Sequence, residues 1–354
     1  MTHPSTLPAR RTLIAGLATA AAAGLLSRPA VAQMAGRRTA RFAEASAYSA
    51  QRSGVSLLIH HAGRQIHADW PGGGSPASAW ELASGTKSFT GVLAMLMVER
   101  GLLRLDEACA ATLREWQADP GRRDITVQQL LTLTSGLPGR IEGGRSLVPS
   151  YAEAVAARAV ARPGQRFAYG PVPFQVFGEL ARRKLAAAGQ GADPLVFLQR
   201  ELFDPLGIRP QRWRRDADGL PHLPSGASLT APDWLQFGRM MMADRQVRAV
   251  LAPASLAACV RTTPVNPGYG LTWWVPAPGM EGPGLRAGVA EDMAQLAAYG
   301  RVWVAAGAGN QRLYVLPDRQ LVVVRQASGV GRALRGRGPD WSDSRFLQMV
   351  MADL

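Results

Sequence analysis

The sequence predicts an α+β fold: an antiparallel sheet flanked by helices, with an all-helical region inserted between its early and late strands. Three observations carry this. Strand-like runs appear near the start, over residues 55–59, and return only after residue 269. The stretch between reads as helices, with apolar residues at three- and four-residue spacing. No internal repeat divides the chain, and 354 residues suffice for one large core with an insertion.

The N-terminus precedes that fold. Arg10 and Arg11 stand before an apolar run over residues 13–26. The run is too short to span a bilayer as a stable helix but suits the core of an export signal. Ala30-Val31-Ala32 is a small-x-small cleavage site, and the paired arginines point to the twin-arginine route. Residues 1–32 are therefore expected to be a twin-arginine signal peptide, giving a periplasmic or otherwise exported protein; the alternative is an uncut anchor. The absence of a nearby cysteine argues against a lipoprotein. Residues 33–53 are polar, basic and rich in small residues, and read as a mobile lead-in or an amphipathic first helix. Residues 54–354 are expected to form the folded domain, with the helical insertion at about 102–262.

Within the domain, residues 55–59 predict a strand, Ala62-Gly63 a turn and residues 65–68 a returning strand. Glycines and prolines over residues 71–76 break regular structure. Ser84 opens a helix running to Arg100, apolar on every face and hence expected deep in the core, with Gly101 as its stop. Thr126 and Gln129 form a capping box for a short helix. Helices follow over residues 151–161, 172–188, 194–202 and 231–243, in a region short of strand patterns. Strands are expected at 269–275, 301–306, 311–316 and 321–326, the last two around Pro317-Asp318, and a final helix at 342–351.

The formal charge of +14 is strongly basic. The arginines are scattered, without a basic block or interleaved aromatics, and the chain is expected to be exported, so nucleic acid is not the expected partner. A solvated basic surface that can adsorb to anionic envelope surfaces fits better. Beyond the export signal no second long apolar segment appears, so no transmembrane helix is expected in the mature chain. Cys109 and Cys259, the only cysteines, read as buried free thiols, though two thiols can pair in an oxidising compartment. No His-Glu-x-x-His or Cys-x-x-Cys occurs, so neither metal nor cofactor is expected.

Of 40 Lys plus Arg, only Lys87 and Lys184 are lysines. A position that keeps lysine under this bias can need what arginine cannot do, which is to lose its proton when buried. Ser84 and Lys87 are three apart at a helix start, which puts them on one face. Apolar surroundings and the helix dipole both lower the lysine pKa, and a neutral Lys87 can take the Ser84 proton. The bland alternative is a capping serine with a solvated lysine. Lysine scarcity, the buried helix and Gly85 beside the hydroxyl weigh against it. A phosphate-binding loop at Gly85-Thr86-Lys87-Ser88 fails because Thr86 stands where glycine is required. No Gly-x-Ser-x-Gly elbow exists, and a Ser84–His222 pairing is the remaining triad alternative.

Residues 83–91 resemble the active-site segment of class C β-lactamases, family VIII carboxylesterases and their D-peptidase relatives. The resemblance continues in register through residues 125–137, 163–169, 204–208, 225–231 and 269–271. It implies the serine β-lactamase fold, an acyl-enzyme on Ser84 and no cofactor. It also implies a Tyr-x-Asn motif, whose tyrosine is matched by Tyr169, while Pro171 replaces the asparagine. A third motif, Lys-Thr-Gly or Trp-x-Gly, is matched on a strand by Trp303, Val304, Ala305, Ala306 and Gly307, with Ala305 in the glycine's place. A strand N–H near Ala305 or Ala306 would join that of Ser84 as an oxyanion hole. The expected function is hydrolysis of a small ester or amide. A D-amino-acid peptidase or weak β-lactamase is the alternative within enzymes, and a non-catalytic binding or sensor protein the alternative outside them.

Overall fold

The first and last strands of the domain lie side by side. The computed structural model describes residues 41–144, 146–282 and 289–354, so the expected signal segment lies outside the described residues. A five-stranded antiparallel sheet has the order β2-β1-β8-β7-β6, with β1 (Gly54–His61), β2 (Arg64–Asp69), β6 (Trp303–Gly307), β7 (Gln311–Leu316) and β8 (Leu321–Ala327). Leu58 of β1 faces Val324 of β8, joining the two ends of the chain in one ladder. The valine run at 322–324 suits this central position, where both strand faces are covered.

Among the described residues, five helices have eight residues or more: α1 (Ala43–Ala50), α2 (Lys87–Glu99), α3 (Val172–Ala187), α4 (Ala231–Met241) and α5 (Asp343–Ala352). Strand alternation sorts them onto the two sheet faces. Arg312, Tyr314 and Arg325 point to α1 and α5, where they meet Asp343 and Ser49. Leu313 and Val322 point the other way, against Gly238 of α4. α2 is buried from Lys87 to Met97, and Gly101 at φ +68° ends it. A Cβ on Gly91 would come within 2.3 Å of the Leu271 carbonyl, so α2 passes the 269–275 segment at backbone contact.

Several expectations shift. The region expected to lack strands contributes to a second sheet of order β3-β5-β4, formed by β3 (Ala79–Glu81), β4 (Arg212–Trp213) and β5 (Ala227–Thr230). These strands are too short to show a period of two. Residues 269–275 do not form a strand but a tight loop, in which Tyr269 pairs with Trp274 and Thr272 adopts φ +78°. Their aromatic content reflects burial of Tyr269, Trp273 and Trp274 in the core, not a pleated strand. The helix expected over 151–161 ends at Ala156, because the Val160 and Ala161 N–H groups turn to the Gly136 carbonyl. The helix expected over 194–202 is an α-turn, Pro194–Leu198, followed by a wider π-turn, Gln199–Phe203. Cys109 and Cys259 are buried and free.

Candidate active site

Ser84 sits not in the first turn of an α-helix but in a 3-10 turn, Ala83–Thr86, with α2 beginning at Lys87. The turn is fixed from several sides. The Leu82 N–H donates to the Ala227 carbonyl (2.9 Å), and the Gly85 N–H to the Leu82 carbonyl (2.9 Å). Thr86 Oγ1 donates to the Ala83 carbonyl (2.7 Å) and accepts from the Ala227 N–H (3.2 Å). Ala83 is held at φ +46°, a left-handed conformation that a residue with a Cβ adopts at a cost. That strain presents Ser84 partly exposed while its neighbours Ala83, Gly85 and Thr86 are buried.

Lys87 is 4 % exposed. Its Nζ lies 3.0 Å from Ser84 Oγ and donates to the Pro224 carbonyl at 3.1 Å. The rings of Tyr169 and Phe174 stand 4.9 and 5.3 Å from it. Burial, reinforced by the positive charge of Arg140, lowers its pKa from 10.5 to about 7. The amine is thus available as a base near neutral pH.

Tyr169 is brought in by a backbone crossing. A Cβ on Gly170 would lie 1.9 Å from the Gly139 carbonyl, and one on Gly139 would lie 2.4 Å from the Tyr169 carbonyl. Only glycines permit that approach. The Tyr169 ring packs 5.2 Å from that of Trp274. Burial raises its pKa to about 12, against hydrogen bonding with Ser84, the charge of Arg312 and hydrogen bonding with Trp274. Tyr169 therefore stays a neutral phenol in contact with the Ser84 hydroxyl.

β6 is the edge strand beside this turn. A Cβ on Gly307 would meet the Leu82 carbonyl at 2.0 Å and the Gly85 nitrogen at 3.0 Å. Gly307, two residues beyond the expected Ala305, is thus the glycine of close approach. Ala305 lies two residues before it on the same strand face. The Val304 N–H and C=O both pair outward with Trp274 (2.9 and 3.1 Å). By strand alternation Ala306, not Ala305, turns its N–H to that open edge. Trp303 packs partly buried against the core farther up the strand.

The histidines stand elsewhere. His222 has Asp216 and Arg214 as charged neighbours, His67 pairs with Ser46, and His60 faces Asp244 at 3.7 Å. Three participants escaped the sequence reading: the Pro224 carbonyl, Trp274 and Arg140. Arg140 carried a signal, since it directly follows the Ser-Gly-Leu-Pro-Gly turn; the other two act through tertiary placement alone.

A family model described as Beta-lactamase matches residues 31–341. The D-alanine carboxypeptidase AmpC of Burkholderia cenocepacia superposes with a TM-score of 0.65 at 17% identity, covering 92% of this chain and 100% of that one. EstCE1, a hydrolase with promiscuous acyltransferase activity, gives 0.64 at 18% identity, covering 92% and 99%. Protein flp of Staphylococcus aureus (strain COL) is 28% identical over 113 residues, 29% of this chain and 23% of that protein. The match thus spans less than a quarter of that relative's length.

Proposed function

Because the chain belongs to the Beta-lactamase family, we propose that it hydrolyses a small ester or amide through an acyl-enzyme on Ser84. Ser84 Oγ attacks the carbonyl carbon while its proton passes to the neutral amine of Lys87. The oxyanion is received by the Ser84 N–H and the outward N–H of the β6 edge at Ala306. Tyr169, protonated throughout the neutral range, gives its proton to the departing alcohol or amine and recovers one from Lys87. Water then attacks the acyl carbon and gives a proton to Lys87; the acyl C–O bond to Ser84 breaks, Ser84 Oγ takes that proton back, and the acid departs.

The observation that carries this reading is the 3.0 Å contact between a partly exposed hydroxyl and a buried lysine whose pKa is lowered to about 7. Simple esters are preferred because Pro171 replaces the amide of the Tyr-x-Asn motif and β6, from Trp303 to Gly307, carries no cation. Export through the twin-arginine route is part of the proposal, supported by Arg10-Arg11, the apolar run and Ala30-Val31-Ala32.

Mass spectrometry after a fluorophosphonate probe tests the nucleophile. One adduct on Ser84, absent in Ser84→Ala and slowed in Lys87→Arg, is expected. Steady release of p-nitrophenol from p-nitrophenyl butyrate, beyond one equivalent, separates a hydrolase from a sensor that acylates once. Full ester turnover by Ser84→Ala would overturn the assignment.

A further inference from the structure

One arginine stands next to the backbone crossing that brings in Tyr169, and the proton transfers do not use it. The Gly139–Gly170 crossing locks the residue before Arg140 against the backbone of Tyr169, and the Val172 N–H ties to the Gly139 carbonyl (3.4 Å) on the same crossing. Arg140 is exposed and, among the described residues, makes no hydrogen bond or ion pair. Arg182 and Arg183 hold Glu179, and Arg239 holds Asp244, whereas other exposed arginines, Arg158, Arg166 and Arg248 among them, have no such partner among the described residues; what sets Arg140 apart is its place beside the Tyr169 crossing. Arg140 is also close enough for its charge to act on both Lys87 and Tyr169.

An uncompensated guanidinium beside a base that must shed its proton is suited to a negative partner brought by the substrate. Its planar fork matches the two oxygens of a carboxylate. The opposite wall offers no such contact, because β6 carries no cation. We propose that Arg140 is a specificity determinant that binds a carboxylate of the substrate, so that the preferred ester or amide carries an anionic group near its scissile carbonyl. This rests on the hydrolase reading above and narrows its substrate class.

Three esters of similar size decide it: p-nitrophenyl butyrate, neutral; mono-p-nitrophenyl glutarate, with its carboxylate on the acyl side; and 4-butyryloxybenzoate, with its carboxylate on the leaving group. The wild-type protein is expected to favour one anionic ester over the neutral one in kcat/KM. Arg140→Ala should cut that anionic-to-neutral ratio about tenfold, mainly through KM, which is the size of one charge-assisted contact. Arg140→Lys should restore part of it. The ester that carries the effect tells which side of the scissile bond faces Arg140. A ratio near one in the wild-type protein, or one that Arg140→Ala leaves unchanged, overturns the proposal. Binding is read without turnover by titrating the tryptophan fluorescence of Ser84→Ala with monomethyl glutarate against dimethyl glutarate. Tighter binding of the monoanion that disappears in Ser84→Ala/Arg140→Ala supports the carboxylate site even if no ester is hydrolysed. Equal binding of the two overturns it, whatever the fate of the hydrolase reading.

Discussion

Lys87 Nζ stands 3.0 Å from Ser84 Oγ and spends its other contact on the carbonyl of Pro224, a neutral acceptor. A buried ammonium with such partners is held weakly, and burial brings its pKa to about 7. The base form is the active one, so kcat/KM on p-nitrophenyl butyrate should rise with pH through about 7 and then level. Tyr169, at about 12, should cause a fall only in strong alkali. A pH–rate profile checks this, and an ascending limb near 10 would mean that Lys87 is solvated.

The same amine should cost stability. In the folded protein Lys87 gives up its proton near pH 7, whereas the unfolded chain keeps it to about 10.5. Between those values the unfolded state binds more protons, so this group's contribution to stability rises with pH. Its penalty is full below pH 7 and fades toward 10.5. Lys87→Met, similar in volume, should therefore stabilise the protein by on the order of a few kcal/mol at pH 6, and by less at pH 9, while abolishing turnover. Urea unfolding midpoints at the two pH values measure it. A variant less stable than wild type at both would show that the lysine is a structural anchor.

Tyr169→Phe removes the proton relay but leaves the ring between Lys87 and Trp274. Turnover of p-nitrophenyl butyrate should fall about a hundredfold or more, with unfolding unchanged. Labelling of Ser84 by the fluorophosphonate should persist more slowly, because Lys87 remains the first acceptor. Unchanged steady-state turnover would remove Tyr169 from the chemistry.

What the sequence made legible follows from local physics. The β1–β2 hairpin, the Thr126–Gln129 capping box and α2 each rest on contacts within a few residues, and they appear where expected. So does the Ser84–Lys87 pair, because two residues three apart at a helix start meet whatever surrounds them. Tyr169 was reachable only by resemblance, since the 81 intervening residues carry no local rule that brings it to Lys87. Strands of two to four residues and the 269–275 loop were not legible, because tertiary pairing alone defines them. The close approach of Gly307 to the Ser84 turn was not legible for the same reason. The composition Ala305-Ala306-Gly307 is silent on which Cα meets the Leu82 carbonyl.

Asp343 anchors the sheet face opposite the site. Arg312 grips it through Nε and Nη2 (2.7 and 3.1 Å), and Tyr314 and Trp341 donate to it at 2.5 and 2.9 Å. Burial pushes its carboxyl up, but the charge and hydrogen bonds of Arg312 outweigh that and hold its pKa below the usual range. Asp343→Asn leaves a buried guanidinium without its counter-charge and should cost about 3–5 kcal/mol in urea unfolding. Arg312→Met added to it should recover part of that loss, because the uncompensated charge is gone. Additive losses would show that the pair does not act as a unit.

Gly307 tests whether the edge of β6 is placed for chemistry or merely for packing. A methyl group there would have to share space with the Leu82 carbonyl at 2.0 Å and the Gly85 nitrogen at 3.0 Å, both backbone atoms that cannot swing aside. Gly307→Ala should therefore push β6 off the Ser84 turn and move the Ala306 N–H away from the developing oxyanion. Loss of one such donor typically costs about a hundredfold or more in kcat. Ala305→Gly, at the neighbouring position on the same strand face, removes only a methyl group and should leave kcat within severalfold. The comparison is decisive because both substitutions change one methyl on one strand. Equal, small effects of the two on p-nitrophenyl butyrate would mean that the edge of β6 takes no part in stabilising the transition state.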